Sequence, residues 1–195
     1  MATFFNYNSF FIDQNVNFLK FSNSYNIYNE QGEKIGTVAQ KMQIWQKILQ
    51  LIIKKGILPF KLEILNNNNE VEAKISRGFT MFMSTIKICN AEGNLIGTIK
   101  QKFKLFKPTF QLLDASSVQI GEISGDWKAW DFLIKDEHQT IVGKINKKWA
   151  GVAKEMFTNA DKYNVNFEWV YNDETKKLIA FSGAICIDMV FKENK

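Results

Sequence analysis

The sequence predicts a mainly β fold: an antiparallel barrel, closed or nearly closed, around a central hydrophobic helix near the C-terminus, plus one amphipathic helix. Three observations predict it. Residues 176–191 are apolar on every side of a helical wheel except at Asp188, so that helix needs walls all round. Most of the chain before it alternates apolar and polar residues with the strand period of two. One hairpin unit also recurs, with Gly36, Gly97 and Gly143 at the same point of its return strand, each after an Ile or Val. A glycine there bends the strand and helps a sheet curl.

In chain order, residues 1–20 are rich in Phe and Asn, with Phe10, Phe11 and Ile12 and then Phe18 and Leu19 as apolar patches, and give one weak strand. Residues 25–41 form the first clear hairpin, which returns at 86–102 and more loosely at 132–148. Between the first two copies, residues 41–55 place Trp45, Ile48, Leu49 and Ile52 at helical spacing, with Lys47, Gln50 and Lys54 on another face and Gly56 as a stop. Residues 60–64 and 71–75 read as strands joined by the loop Asn66, Asn67, Asn68 and Asn69. Residues 110–114 and 119–123 form a further strand pair, and 127–134 lead into the third repeat. The spacing is too irregular for a solenoid or propeller. Residues 164–171 alternate, with Val165, Phe167, Trp169 and Tyr171 on one face, and make the last strand. Asn172 is expected to cap the helix that follows, with Asp173 and Glu174 in a first turn that favours carboxylates.

At 195 residues and 46% hydrophobic, the chain suits one domain over 1–195 with 1–20 weakly defined, since ~100–200 residues per domain is usual. The net charge of +5 is nearly all lysine, because Arg77 is the single arginine. Lysine lacks the planar fork that reads bases and phosphates bidentately, so the balance favours diffuse attraction to anionic surfaces over sequence-specific nucleic-acid binding. Cys89 and Cys186 lie in apolar runs without metal or disulfide spacing and read as buried free thiols in a reducing compartment. The first residues carry no basic n-region or sustained apolar run, so no secretory signal is expected. The apolar core 178–191 is about 20 Å long as a helix, against a hydrocarbon thickness of ~30 Å, which favours a barrel lumen over a membrane span. Gly183 and Ala184 would let the wall approach, while Phe181, Ile185 and Met189 would fill the interior.

Residues 142–167 and 179–191 together resemble the end of the phospholipid scramblase family. Pro59-Phe-Lys-Leu, the Ile96-Gly-Thr-Ile hairpin and Gly121-Glu-Ile-Ser-Gly extend the resemblance over about 25–191, and it is also consistent with LURP-one-related and tubby C-terminal-like relatives. The resemblance implies a closed twelve-stranded antiparallel barrel around a central C-terminal helix. Animal members carry a proline-rich N-terminal region and a cysteine cluster that can be palmitoylated; this chain has two prolines and no such cluster. The resemblance also points to a calcium segment with acidic residues at its first, third and last positions. Asn159, Asp161 and Val170 stand there, with Tyr163 between them and neither the glycine nor the terminal carboxylate that a calcium loop uses. A turn followed by a barrel strand is the stronger account, and no cofactor is expected.

The candidate lipid-binding residues are Trp45, Lys47, Ile48, Leu49, Ile52, Lys54 and Lys55 of the amphipathic helix, and Lys100, Lys102 and Lys104 on one face of a strand. The plainer alternatives are a helix packed on the barrel and a solvated outer face. His138, the sole histidine, falls in a turn, and no nucleophile elbow, P-loop or dinucleotide fingerprint accompanies it, so no catalytic role is expected. Trp127, Trp130 and Trp149 read as core or barrel-mouth packing. Two functions stay open. The preferred one is a scramblase-related, cytoplasmic protein, peripheral on anionic phospholipid at the inner membrane face, with transbilayer lipid movement implied by the resemblance. The other is a soluble barrel scaffold that contacts proteins or ligands without scrambling.

Overall fold

The computed structural model describes residues 4–16, 23–41, 58–80, 83–102, 108–147 and 162–192. Within them twelve strands close an antiparallel barrel in sequence order: β1 (Ser9–Val16), β2 (Asn23–Tyr28), β3 (Lys34–Gln40), β4 (Phe60–Asn66), β5 (Val71–Arg77), β6 (Thr85–Asn90), β7 (Leu95–Lys102), β8 (Thr109–Asp114), β9 (Gln119–Asp126), β10 (Asp131–Asp136), β11 (Ile141–Asn146) and β12 (Lys162–Phe167). Closure comes from β1, which pairs with β2 on one side and with β12 on the other, Phe10 opposite Val165 and Ile12 opposite Tyr163. The weak early strand of the sequence is therefore the seam of the wall.

Helix α1 (Glu174–Lys192) fills the lumen, and the all-round apolar pattern is the reason. Ile179, Phe181, Ala184, Ile185, Ile187 and Met189 are all buried against inward-facing strand residues such as Ile99, Phe110, Leu112 and Ile123. A β-carbon on Gly183 would lie 2.6 Å from the Ile123 Cδ1, so the helix touches the wall there and a side chain would have to displace the end of Ile123. Phe181 meets Phe10 at 4.9 Å between ring centroids, and Phe4 and Phe5 of a short 3-10 turn (Phe4–Asn6) pack edge-on to it. The cap differs from expectation by one residue. Asp173 accepts the Lys176 N–H on Oδ1 and the Lys177 N–H on its carbonyl, both at 2.9 Å, so Asp173 and not Asn172 holds the N-cap geometry.

The recurring hairpin is more regular than the sequence reading found: β2–β3, β4–β5, β6–β7, β8–β9 and β10–β11 all turn the same way. Asn29, Asn66, Asn90, Asp114 and Asp136 each accept, on Oδ1, the N–H of the residue four further on, at 2.8–3.0 Å. The backbone carbonyl of each accepts the N–H of the third residue. That third residue, Gly32, Asn69, Gly93, Ser117 or Gln139, has φ between 62° and 95°. This is a three-residue loop whose last position is left-handed, held by an Asx side chain.

Beyond each turn the return strand carries one extra residue, Ile35, Glu72, Ile96, Ile120 or Val142, and the next position is Gly36, Ala73, Gly97, Gly121 or Gly143. At Gly143 a β-carbon would sit 2.6 Å from the Asn166 carbonyl oxygen of β12, and at Gly36 it would sit 2.5 Å from that of Leu65 in β4. At the glycine copies the bulge thus brings the next strand too close for a side chain, whereas the β4–β5 copy carries the methyl of Ala73 there.

The last strand is shorter than the alternation implied. β12 ends at Phe167, and Trp169 leaves the face shared by Val165, Phe167 and Tyr171, because Tyr171 N–H returns to the Glu168 carbonyl at 2.9 Å and closes a turn. Cys186 is buried, but Cys89 faces outward from β6 and is half-buried, which corrects the reading of both thiols as core. Trp130 is buried against Tyr163 and Phe132, whereas Trp127 is 37% exposed and is not a core residue; Trp149 and residues 41–55 beyond Lys41 lie outside the described residues.

Candidate functional site

Strand direction gives the barrel two unlike ends. The five Asx turns, the 3-10 turn, the β12–α1 link and the N-terminus of α1 lie at one, here the tight-turn end. At the other, the long-connection end, lie the strand ends that flank residues 17–22, 42–57, 78–84, 103–107, 127–130 and 148–161, with the C-terminus of α1. Three separate sequence-stretch expectations converge there: Lys41 and Leu58, which flank the amphipathic stretch; Lys100 and Lys102; and Lys162, which follows Asn159 and Asp161. Sequence spacing alone gave no sign that these stretches share one end.

The outer face of β4–β7 at and below this end is basic. Register places Lys61, Ser76, Lys87 and Thr98 in one row across the four strands. Toward the tight-turn end the next row holds Glu63, Lys74 and Cys89; toward the long-connection end it holds Thr85, Lys100 and Gln111. Lys102, opposite Thr109, continues beyond. Lys61, Lys87, Lys100 and Lys102 are exposed. Lys100 and Lys102 do share the outer face; Lys104 lies outside the described residues, as do Trp45, Lys47, Ile48, Leu49, Ile52, Lys54 and Lys55.

A shallow groove of about 350 Å³ crosses this face, lined by Lys41, Lys61, Glu63, Lys74, Ser76 and Cys89 among others. Within it Lys41 pairs with Glu63 at 3.2 Å, and the Lys74 Nζ donates to the Ala91 carbonyl at 2.6 Å.

Arg77, missed as anything but a composition count, frames the site from inside. It is the last residue of β5, points inward and is 3% exposed. Its Nη2 donates to the Leu58 carbonyl at 2.7 Å, its Nη1 to the Ser84 hydroxyl at 3.4 Å, and its guanidinium lies 4.6 Å from the Phe60 ring centre. Ser84 in turn accepts the Gln101 N–H on its carbonyl at 2.9 Å. One planar cation thereby ties the starts of β4 and β6 together and, through Ser84, links them to the end of β7, where Lys100 and Lys102 stand. Its inward position was readable in principle from the alternation Ala73, Ile75, Arg77.

The tight-turn end is the electrostatic opposite. Glu30 and Glu33, Glu70, Glu92, Asp114, Asp136 and Glu137, then Glu168, Asp173 and Glu174 follow one another around the rim, with Lys34 and Lys176 among them. Lys176 bonds Glu137 at 2.7 Å, and that hydrogen bond holds the Glu137 carboxyl below its ordinary range. Lys177 is turned inward to the Asn8 side chain at 2.6 Å, where burial lowers its basicity.

The described part of the segment that the resemblance points to for calcium begins as a strand and not as a loop. Lys162–Phe167 is a barrel strand of about 20 Å at ~3.4 Å per residue, so it separates Val170 at the tight-turn end from the strand start that follows Asp161. Tyr163 is fully buried, and burial, with Asp188 and Cys186 nearby, pushes its phenol well up. Asn159 and Asp161 lie outside the described residues, among which no group of three His, Cys, Asp or Glu could hold a metal ion. His138 sits exposed in the β10–β11 turn, its N–H on Asp136 Oδ1. No helix among the described residues is long and apolar enough to cross a membrane.

The Scramblase family model matches residues 16–194. A phospholipid scramblase family protein of Schizosaccharomyces pombe is 25% identical over 157 residues, 75% of this chain and 41% of that protein. Human phospholipid scramblase 1 is 37% identical over 65 residues, 33% of this chain and 20% of that protein. The Saccharomyces cerevisiae altered inheritance rate of mitochondria protein 25 is 22% identical over 171 residues, 75% of this chain and 52% of that protein. The chain thus spans between 20% and 52% of the length of these relatives. An X-ray structure of a protein from Arabidopsis thaliana superposes with a TM-score of 0.53 over 96% of this chain and 92% of that one, at 9% identity, and shares the fold.

Proposed function

The chain belongs to the Scramblase family, and from that premise we propose that it associates peripherally with anionic phospholipid membranes and takes part in transbilayer phospholipid movement. The observation that carries the reading is the lysine face on β4–β7, Lys61, Lys87, Lys100 and Lys102, set against an acidic opposite end. An anionic surface attracts the first and repels the second, so the protein would meet the bilayer with one orientation. The residues of the amphipathic stretch, Trp45, Ile48, Leu49 and Ile52 with Lys47, Lys54 and Lys55, join that contact in this proposal. The lumen is filled by α1 and offers lipid no path, so lipid movement is assigned to the outer face.

The test is reconstitution with vesicles carrying a labelled lipid in both leaflets, following loss of inner-leaflet label to an impermeant quencher. Faster loss than in protein-free vesicles, reduced by Lys87→Gln and Lys100→Gln, is expected. A protein-free trace together with equal binding to neutral and anionic vesicles would leave the second reading, a barrel scaffold for protein or ligand contacts.

A further inference from the structure

Among the described residues the most exposed large apolar side chains are adjacent: Trp169 at 83% and Val170 at 82%. They occupy the two central positions of the turn that Tyr171 N–H closes on the Glu168 carbonyl. The turn is braced on both sides. Glu168 N–H bonds the Val142 carbonyl at 2.9 Å, and Tyr171 is buried and stacked on Phe167 at 5.8 Å. Ile141, the residue before Val142 on β11, is 44% exposed beside this brace.

Turn centres usually carry Gly, Asn, Asp, Ser or Pro, each for a backbone reason. Trp-Val serves none of those reasons, and at this exposure the pair is not packed into the core of the described residues. A rigid, hydrogen-bonded turn that violates local turn chemistry marks a place where something else sets the residues. Its surroundings say what kind. Glu168 precedes the pair, Asp173 and Glu174 follow it, and Asp136 and Glu137 stand in the turn that leads into β11; Lys176, paired with Glu137, offsets one of these carboxylates and leaves the surroundings acidic.

We propose that Trp169, Val170 and Ile141 form a docking site for a partner protein, and that the occupant is a segment presenting lysine or arginine beside large apolar side chains. The carboxylates complement such a segment and repel an anionic bilayer, which is why a protein and not a membrane is the partner. The site lies at the end remote from the lysine face and does not depend on membrane binding.

The probe is a short synthetic peptide of alternating lysine and leucine, titrated into the ¹⁵N-labelled chain. A glutamate-leucine peptide of equal length and phosphatidylcholine vesicles containing phosphatidylserine serve as competitors of other chemistry. Amide signals of 168–173 and of Ile141 move with the basic peptide at a dissociation constant below ~1 mM and stay still with the acidic one. Trp169→Ser with Val170→Ser weakens binding at least tenfold, about 1.4 kcal/mol. Glu137→Gln with Glu168→Gln weakens it severalfold and flattens its salt dependence. Should the first double variant lose its fold, seen as a lowered melting temperature, the glutamine variant carries the decision. Unmoved signals, equal binding of both peptides, binding untouched by the substitutions, or vesicles moving the same signals would each overturn the proposal.

Discussion

At the tight-turn end five turns close on the same Asx hydrogen bonds, and the strands beyond them carry the same bulge before Gly36, Ala73, Gly97, Gly121 and Gly143. At the long-connection end the described residues follow a different pattern. Arg77 ties Leu58 to Ser84, whereas Asp126 Oδ1 receives the N–H groups of Lys128 and Ala129, and Trp130 takes a φ of 52°. Register is therefore set where the chain repeats itself, and the free choice of chemistry lies where it does not. The charge follows the same division, acidic on the repeated end and basic toward the varied one.

The sharpest way to break this contrast is to fill a bulge position. Gly143→Val, whose β-carbon meets the Asn166 carbonyl at 2.6 Å, should lower unfolding free energy by about 3 kcal/mol in urea titration. Gly78→Ala at the other end, with nothing within 4 Å, should stay within about 0.5 kcal/mol. Next, neutralising Lys87 and Lys100 to Gln should weaken co-sedimentation with phosphatidylserine vesicles by on the order of 1 kcal/mol per lysine, while Glu30→Gln with Glu92→Gln at the acidic end weakens nothing. Asp173→Ala should cost about 1 kcal/mol of stability and Asn172→Ala close to none. Gln139→Gly, which relieves a left-handed non-glycine at φ 65°, should raise stability by about 0.5 kcal/mol.

The smallest effect tests the rim charge. Lys176→Ala should cost a few tenths of a kcal/mol, as exposed pairs do. Because Lys176 holds the Glu137 carboxyl below its ordinary 4.5, that contribution is present above pH 4.5 and is lost as pH falls through the folded value. A wild-type-minus-variant stability difference that grew on acidification would have the wrong sign for this pair.

The fold was legible wherever the chain keeps its period. Alternation gave the hairpins, and an apolar wheel gave the helix as core. The β4–β5 copy escaped notice because Ala73 stands where the other copies carry glycine, and the β8–β9 copy escaped although it keeps Gly121; the Asn or Asp that opens every turn was the signal common to all five. Trp169 was misassigned because Val165, Phe167, Trp169 and Tyr171 keep a spacing of two, although the apolar Val170 breaks the alternation, and a backbone hydrogen bond, invisible in the residue types, turns the chain there. The separation of charge was illegible for another reason. Its acidic members fall in turns far apart in sequence, and only strand register gathers them at one end.

Because α1 follows all twelve strands in the chain yet sits at their centre, the wall has nothing to condense on until the helix has been made. The β1–β12 seam likewise joins the first described strand to the last. Both are contacts of high sequence separation, and such contacts make folding slow and leave strand edges open meanwhile. During synthesis β1 and β12 would both stand unpaired at the seam, so the chain's most vulnerable moment comes late, just before a single closing event completes the wall and the core together.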